Sequence, residues 1–147
     1  MKTFISNDIR ETFNLAKNFT QKLKGNETVA LIGKLGSGKT AFTQGMARAL
    51  KIKQNVSSPT FNILKIYNIP RSVFLSSGFK LCHIDAYRLK KGKDLLSLGI
   101  KDYFLSPKTI TVIEWAENIK DILPSDTIFI KFTSKNKNQR IITFSKF

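Results

Sequence analysis

Several features that define particular classes of protein are scarce or missing in this sequence. It has a single cysteine, Cys82, so an intramolecular disulfide is impossible and a zinc site built from cysteines is disfavoured. No apolar run approaches the ~18 residues that a membrane span needs. Residues 1–8, MKTFISND, become polar too early to form the core of a signal peptide. We therefore expect a cytoplasmic protein with no membrane association.

Acidic residues are also scarce: 10 Asp+Glu stand against 25 Lys+Arg, which gives a formal net charge of +15. An excess of positive charge is typical of proteins that bind a polyanion such as nucleic acid. It also arises from a general preference for lysine, and here lysine, isoleucine, phenylalanine and asparagine are frequent along the whole chain, without a lysine cluster. The charge alone leaves both interpretations open.

The length and composition are those of one globular domain. The chain has 147 residues, of which 41% are hydrophobic and 24% charged, ordinary values for a folded protein. A chain of this length buries roughly 68–70% of the surface that its unfolded form exposes. Because the sequence has no internal repeat and no linker, we predict a single domain over residues 1–147 and exclude a disordered chain.

Hydrophobic periodicity predicts alternating helices and strands. Helical spacing extends from Ile9 to Leu23 with Ser6 as a candidate N-cap, and a second helix over 40–50 would bury Phe42, Met46, Ala49 and Leu50. Strands are predicted at 28–32, 61–69, 81–87, 110–113, 127–132 and 140–144, short helices or turns at 95–103 and 116–123, and a surface loop at 70–78. This order predicts an α/β domain with a mostly parallel sheet, flanking helices and a C-terminal antiparallel hairpin.

A phosphate-binding motif lies between the strand at 28–32 and the second helix. Residues 33–40, GKLGSGKT, match G-x-x-x-x-G-K-[ST] at every position. Glycines let the backbone curl so that successive N–H groups point at phosphate oxygens, and the helix that follows directs its positive end at the anion. Lys39 would contact the β- and γ-phosphates, and Thr40 would bind Mg²⁺. We therefore predict a P-loop NTPase-like fold that binds a nucleotide through Gly33, Leu35, Gly36, Ser37, Gly38, Lys39 and Thr40.

Hydrolysis needs, besides this loop, an acidic residue at the end of a nearby strand to hold Mg²⁺ or orient water. Glu114 and Asp85 each end a predicted strand and are candidates, although such a carboxylate also serves commonly as a local cap or ion pair. His83, the only histidine, is more typical of a packed or hydrogen-bonded residue than of a catalytic base. Thr60, in the hydroxyl-rich loop 57–61, is compatible with a γ-phosphate sensor and with an ordinary turn.

In combination these segments resemble the TsaE family, small bacterial P-loop ATPases of the pathway that makes N6-threonylcarbamoyladenosine at position 37 of tRNA. The motifs that carry the resemblance are, in order, residues 35–40 (LGSGKT), 58–61 (SPTF), 83–89 (HIDAYRL), 98–103 (LGIKDY) and 113–115 (IEW). They span most of the chain at the family's spacing. The phosphate loop alone indicates a superfamily, whereas the S-P-T-F, H-x-D-x-Y-R-L and E-W set is specific.

The resemblance implies roles for the acidic residues and for two residues of the loop. Glu114 matches the family glutamate that helps to hold Mg²⁺ with Thr40, so these two are the expected metal ligands. Asp85 matches an acid that serves ATP hydrolysis. With Lys39 on the phosphates, the expected catalytic residues are Lys39, Asp85 and Glu114.

Further nucleotide contacts are implied for Thr60, which falls where a switch-like contact is expected, and for Thr12 and Arg140. The chain also departs from the family pattern. Lys34 stands where the family usually has Asp or Glu, which adds positive charge beside the phosphates. Two segments differ as well. Residues 90–94 are KKGKD where the family has an acid-rich stretch, and the loop at residues 70–78 is longer than usual.

By the same resemblance the protein is expected to bind ATP and Mg²⁺ and to hydrolyse ATP slowly. It would reset or activate a complex of a TsaD-type threonylcarbamoyltransferase and its TsaB-type paralogue, and reach tRNA indirectly through that complex. Two other functions share the loop. A small-molecule or nucleoside kinase would use Asp85 as a base, but after residue 71 the only arginines are Arg88 and Arg140, fewer than a phosphoryl-transfer lid usually has. A basic tRNA-binding module would use ATP structurally and lose tRNA affinity steeply with salt.

Overall fold

Strands and helices alternate along the chain in the computed structural model, which describes residues 1–59 and 62–146. The strands are β1 (Lys2–Ser6), β2 (Thr28–Ile32), β3 (Leu64–Asn68), β4 (Lys80–Asp85), β5 (Thr109–Glu114), β6 (Ile128–Ser134) and β7 (Arg140–Phe144). The α-helices are α1 (Ile9–Thr20), α2 (Lys39–Ala49), α3 (Arg71–Phe74), α4 (Lys93–Leu96) and α5 (Ile100–Leu105), and Ala116–Ile122 form a 3₁₀ helix.

All seven strands belong to one sheet, in the order β1-β7-β6-β2-β5-β4-β3. The four central strands, β6, β2, β5 and β4, run parallel to one another, whereas β1, β7 and β3 pair antiparallel with their neighbours. The predicted α/β fold is confirmed, with the parallel strands in the centre of the sheet and the antiparallel β6–β7 hairpin at the C-terminus. Helices cover both faces of the parallel centre, which explains why β5 is buried along its whole length.

The edge strand β1 is not predicted by the sequence pattern. It pairs with β7 in a continuous register, from Lys2 opposite Phe144 to Ser6 opposite Arg140. Because the pairing partner lies at the other end of the chain, a local pattern of five residues could not reveal it.

The N-terminus of α1 is capped by Asp8, so the prediction that Ser6 is the cap is wrong. The Asp8 carboxylate accepts a hydrogen bond from the Glu11 backbone N–H at 2.9 Å, and Asp8 has the extended backbone of an N-cap residue. Ser6 is the last residue of β1, and its hydroxyl donates to the Asp8 carbonyl at 2.8 Å. Two acceptor side chains lie two residues apart, and the end of β1 decides which of them starts the helix.

The helices α1 and α2 pack together on one face of the sheet. Aromatic rings from both helices and two strands meet there, and the pairs of ring centroids are 5.4–5.9 Å apart among Phe19, Phe42, Phe132 and Phe144. Phe42 and Met46 of α2 and Leu50 directly after it are buried as predicted, but Ala47 is buried while Ala49 is only half-buried. The opposite face holds a second cluster that includes Ile84, Ile100, Ile113 and Ile119.

Several boundaries differ from the prediction. The predicted loop 70–78 contains the short helix α3, and the strand predicted at 81–87 already ends at Asp85. Of the strand predicted at 61–69, the structure shows β3, and residue 61 lies outside the described residues. Within residues 1–59 and 62–146, the structure contains no helix with the length and apolar character that crossing a membrane requires.

The sheet brings three chain segments to one edge. The strands β2, β5 and β4 are parallel neighbours, so their carboxyl ends lie side by side. The loop 33–38 leaves the end of β2, Glu114 ends β5 and Asp85 ends β4. Asp85 and Glu114 are register partners. In sheets of this kind the carboxyl edge of the strands is where ligands bind.

Candidate functional site

The glycine-rich loop connects β2 to α2 through backbone conformations that favour glycine. Gly36 and Gly38 have φ values of 71° and 106°, and Gly38 is the residue that precedes the first turn of α2. Gly33 is required by close approach, because a Cβ atom there would lie 2.6 Å from the Phe132 carbonyl oxygen and 2.7 Å from Ser37 Oγ. The loop therefore folds tightly against β6 and delivers the start of α2 to the carboxyl edge of the sheet.

Lys39 turns its ammonium back over its own loop. The side chain is buried, with Nζ donating to the carbonyls of Gly33 at 2.5 Å and Lys34 at 2.9 Å. The Trp115 ring covers the ammonium, with 4.1 Å between Nζ and the ring centroid. Trp115 follows β5 in a left-handed backbone conformation, at φ 57°. The loop thus holds its lysine at the point where the loop, α2 and the end of β5 meet.

The charge of this ammonium is only partly offset by its surroundings. Burial lowers the pKa of Lys39 below its ordinary value, while the negative charges of Glu114, Glu117 and Asp85 favour the protonated form and oppose that change. Among residues 1–59 and 62–146 no carboxylate forms an ion pair with Lys39. A buried ammonium of this kind favours an anionic ligand, because a negative group close to it would stabilise its charge. Phosphate oxygens are ligands of this kind.

Glu114 is the buried carboxylate of the site, only 2% exposed. Its Oε2 accepts a hydrogen bond from the Thr40 hydroxyl at 2.8 Å, so the first turn of α2 is joined to the end of β5. Its Oε1 lies 2.9 Å from His83 Nε2, on the neighbouring strand β4. The predicted pair Thr40 and Glu114 is therefore in direct contact.

Asp85 is held by two donors from different segments. Its Oδ2 accepts a short hydrogen bond from the Ser58 hydroxyl, and its Oδ1 accepts from the Tyr87 backbone N–H at 2.9 Å. Ser58 lies in the loop that precedes β3, and 27 residues separate it from Asp85. The carboxylate is half-exposed and faces the same cleft as Glu114.

The opposite wall of the cleft is built by α1 and the β6–β7 loop. Thr12 is buried, with its hydroxyl 2.7 Å from that of Ser6. Arg140 Nη2 donates to the Gly36 carbonyl at 3.2 Å, and Nη1 donates to three carbonyls of the hairpin loop at 3.0–3.2 Å. Arg140 thereby fastens the hairpin to the glycine-rich loop.

The cleft between these walls has a volume of about 510 Å³. It is lined by ten of the residues predicted to bind a nucleotide or act on it: Thr12, Leu35, Gly36, Ser37, Gly38, Lys39, Thr40, Asp85, Glu114 and Arg140. Gly33 does not line the cleft, and its carbonyl accepts a hydrogen bond from Lys39 Nζ. The predicted contact Thr60 lies outside the described residues.

Other residues of the cleft are not among those predicted to form the site. Ser58, Tyr87, Trp115, Asp8 and Asn138 also line it. Ser58, Tyr87 and Trp115 belong to segments that the family resemblance marks, so their motifs offered a sequence signal. Asp8 and Asn138 offered none, since they are a polar residue before a helix and one asparagine of a polar loop.

The donor set suits a hydrated Mg²⁺ rather than a closed metal site. Among residues 1–59 and 62–146, no group of three or more His, Cys, Asp and Glu side chains is arranged to hold a metal ion. Mg²⁺ commonly takes one or two protein ligands and completes its shell with water and phosphate oxygens. The Thr40 hydroxyl and the Glu114 carboxylate fit this pattern. Ser37 Oγ, buried without a hydrogen-bond partner among the described residues, is a further polar group of the loop.

Fold and site define the class of protein: a mixed α/β domain in which a G-x-x-x-x-G-K-[ST] loop joins a central parallel strand to a helix, beside two strand-terminal carboxylates. The family model described as "Threonylcarbamoyl adenosine biosynthesis protein TsaE" matches residues 6–142. The chain belongs to this TsaE family.

Individual relatives agree with the family match. The proteins named "tRNA threonylcarbamoyladenosine biosynthesis protein TsaE" include one from Rickettsia typhi, 36% identical over 95% of this chain and 92% of its own length. The Bacillus subtilis protein of that name is 35% identical over 92% of this chain and 79% of its own length. A crystal structure of Bacillus subtilis YdiB superposes with a TM-score of 0.78 at 31% identity, over 97% of this chain and 83% of that one. The match therefore extends over almost the whole chain.

Proposed function

We propose that this chain binds ATP with Mg²⁺, hydrolyses it slowly, and serves as an accessory protein in the formation of threonylcarbamoyladenosine in tRNA. The observation that carries the proposal is the meeting, in one cleft, of the loop 33–40 with Glu114 and Asp85. Membership of the TsaE family supplies the pathway, and the chemistry of the cleft supports the nucleotide.

Binding would use the backbone N–H groups of the loop 33–38 and the side chains at the start of α2. The ammonium of Lys39 would exchange its two carbonyl partners for oxygens of the β- and γ-phosphates, where its charge is better stabilised. Thr40 and Glu114 would hold Mg²⁺, whose charge supplies stabilisation of the negative phosphates in the transition state. Thr12 and Arg140 would contact the nucleotide from the opposite wall, and Thr60 from its loop.

Hydrolysis would depend on Asp85, the acid at the end of β4. Ser58 and the Tyr87 N–H hold its two oxygens, so the carboxylate is oriented before a nucleotide enters. Arg140 is bound to four backbone carbonyls in this arrangement. Arg140 would have to exchange some of these carbonyls for phosphate oxygens before it could stabilise the transferred phosphoryl group, so ATP hydrolysis would be slow until a partner adds a cation or reorganises the loop.

The partners that we propose are a TsaD-type threonylcarbamoyltransferase and its TsaB-type paralogue, which would carry out the transfer itself. In this proposal the chain acts in the cytoplasm, resets or activates the transferase complex between turnovers, and reaches tRNA through that complex.

Reconstitution tests this proposal. The two partner subunits, ATP, Mg²⁺, threonylcarbamoyl-adenylate and tRNA are combined with the wild-type chain, with its Lys39→Ala variant, or without it. We expect modification to continue beyond one turnover only with the wild-type chain. Equal multiple-turnover modification when the chain is omitted would contradict the pathway role.

The same reagents distinguish the two alternatives. Phosphorylation of a nucleoside by the chain and labelled ATP would support a kinase and contradict the ATPase. Binding of tRNA by the isolated chain, with an affinity that falls steeply with salt, would support a tRNA-binding module. Binding of tRNA that requires the partner subunits would agree with an accessory role.

A further inference from the structure

The two oxygens of Glu114 have different surroundings. Oε2 faces Thr40 and the cleft, at 2.8 Å from the threonine hydroxyl. Oε1 points away from the cleft to His83 Nε2, at 2.9 Å. His83 is fully buried on β4, and its side chain contributes no surface to the cleft. A histidine placed there cannot touch a nucleotide, but it can fix the orientation of the carboxylate that does.

The hydrogen-bond chemistry determines which nitrogen of His83 carries the proton. A carboxylate that binds a cation is ionised and can only accept hydrogen bonds, so Nε2 must be the donor. Nδ1 is buried and has no hydrogen-bond partner among the described residues. An unprotonated Nδ1 leaves only a lone pair without a partner, whereas a protonated one would bury an unsatisfied N–H group. The structure therefore favours the tautomer with its proton on Nε2.

We propose that His83 is a positioning residue for the Mg²⁺ ligand Glu114, a role that rests on the proposed binding of Mg²⁺ and nucleotide. By donating to Oε1 it prevents the carboxylate from rotating and keeps Oε2 aimed at Thr40 and the cation. Among the described residues, no other side chain is hydrogen-bonded to Oε1. Partners that orient a metal ligand in this way typically contribute about 10–100-fold to metal affinity.

Two substitutions separate positioning from packing. In His83→Gln the side-chain amide nitrogen reaches the position of Nε2 and can still donate to Glu114. In His83→Asn the amide reaches only the position of Nδ1, so the variant is equally polar but leaves Oε1 without a donor. The Asn variant is the test and the Gln variant its matched control.

The measurement is calorimetric titration with ATP at a series of Mg²⁺ concentrations and in EDTA. We expect His83→Asn to raise the Mg²⁺ concentration for half-maximal enhancement of ATP binding by about tenfold or more, while His83→Gln stays within about threefold of wild type. The ATP affinity in EDTA should be the same for all three proteins, because His83 acts through the cation ligand alone.

An unchanged Mg²⁺ midpoint in His83→Asn, or equal shifts in both variants, would overturn the positioning role. Equal ATP binding by the wild-type protein with and without Mg²⁺ would also overturn the positioning role. These results leave ATP binding intact. A wild-type protein that binds no ATP under either condition would instead contradict the proposed function.

A second measurement uses the wild-type chain and does not depend on the folding of variants. His83 is the only histidine, so the tag-free, ¹⁵N-labelled protein gives one set of imidazole signals in NMR. We expect Nε2 to carry a proton. An Nε2 without a proton would contradict donation to Glu114.

Discussion

Two glycines of the phosphate loop should respond very differently to the same substitution. Gly33 and Gly36 both have positive φ values, 156° and 71°, so alanine is strained at either position. At Gly36, leaving its two chain neighbours aside, no atom of the part of the chain that the structure describes lies within 4 Å of the Cβ that alanine would add. At Gly33 that Cβ would lie 2.6 Å from the carbonyl oxygen of Phe132, on the neighbouring strand β6.

The expected magnitudes follow from these surroundings. Gly36→Ala should lower the free energy of unfolding by about 1 kcal/mol, since a left-handed alanine is strained by ~1–2 kcal/mol and the stiffer unfolded chain offsets part of that. Gly33→Ala adds an overpacking cost of ~1–3 kcal/mol, because the Phe132 carbonyl belongs to a strand paired with β2 and cannot move alone. We expect a loss of about 3 kcal/mol at Gly33.

Urea unfolding at 25 °C without nucleotide measures both values from the transition midpoints, with equal m-values as the check that the surface exposed on unfolding is unchanged. The comparison is internal, because both variants add one methyl group to the same loop. A loss at Gly36 equal to that at Gly33, or a Gly33 variant as stable as wild type, would refute the close packing of the loop on β6.

Three further predictions concern the fold. Phe42→Ala should lower the free energy of unfolding by about 3–5 kcal/mol in the same assay, because Phe42 is fully buried among aromatic rings; a loss comparable to that of Phe42→Leu would contradict this. The Glu11 N–H holds the pKa of Asp8 below its ordinary value of 3.8, so the stability that Asp8 provides is complete above that pH and is lost as the pH falls through the lowered value. The difference in stability between wild type and Asp8→Ala should therefore shrink below pH 3.8, and a difference that stays constant down to pH ~2 would argue against the cap. Burial raises the pKa of the Cys82 thiol to about 12, so iodoacetamide at pH ~8 should alkylate the protein only after unfolding in urea, and rapid labelling of the folded protein would be inconsistent with this burial.

The parts of the fold that are set by local pattern could be predicted from the sequence. The strands β2 and β7 have the predicted bounds, and the loop 33–40 lies between a strand and a helix as its motif requires. The edge strand β1 escaped prediction because it exists through pairing with a segment at the far end of the chain. The cap of α1 was misassigned because the end of β1 decides whether Ser6 or Asp8 precedes the helix.

The same distinction between local pattern and long-range contact applies to the candidate site. Glu114 and Asp85 could be predicted because each ends an apolar strand, and parallel neighbours bring such ends together. Two of their partners could not be predicted from spacing, since Ser58 reaches Asp85 across 27 residues and His83 reaches Glu114 across 31. Those contacts depend on the sheet order and on side-chain direction, which a sequence does not display locally.

Calorimetric titration of ATP into the Lys39→Ala variant tests the central claim most directly. The control is Lys53→Ala, which removes an exposed lysine outside the cleft. Binding of ATP with Mg²⁺ should be lost or nearly lost in Lys39→Ala and unchanged in Lys53→Ala, while both variants keep the circular dichroism spectrum of the wild type. Full-affinity binding by a folded Lys39→Ala variant would contradict the assignment of the loop 33–40 as the nucleotide site.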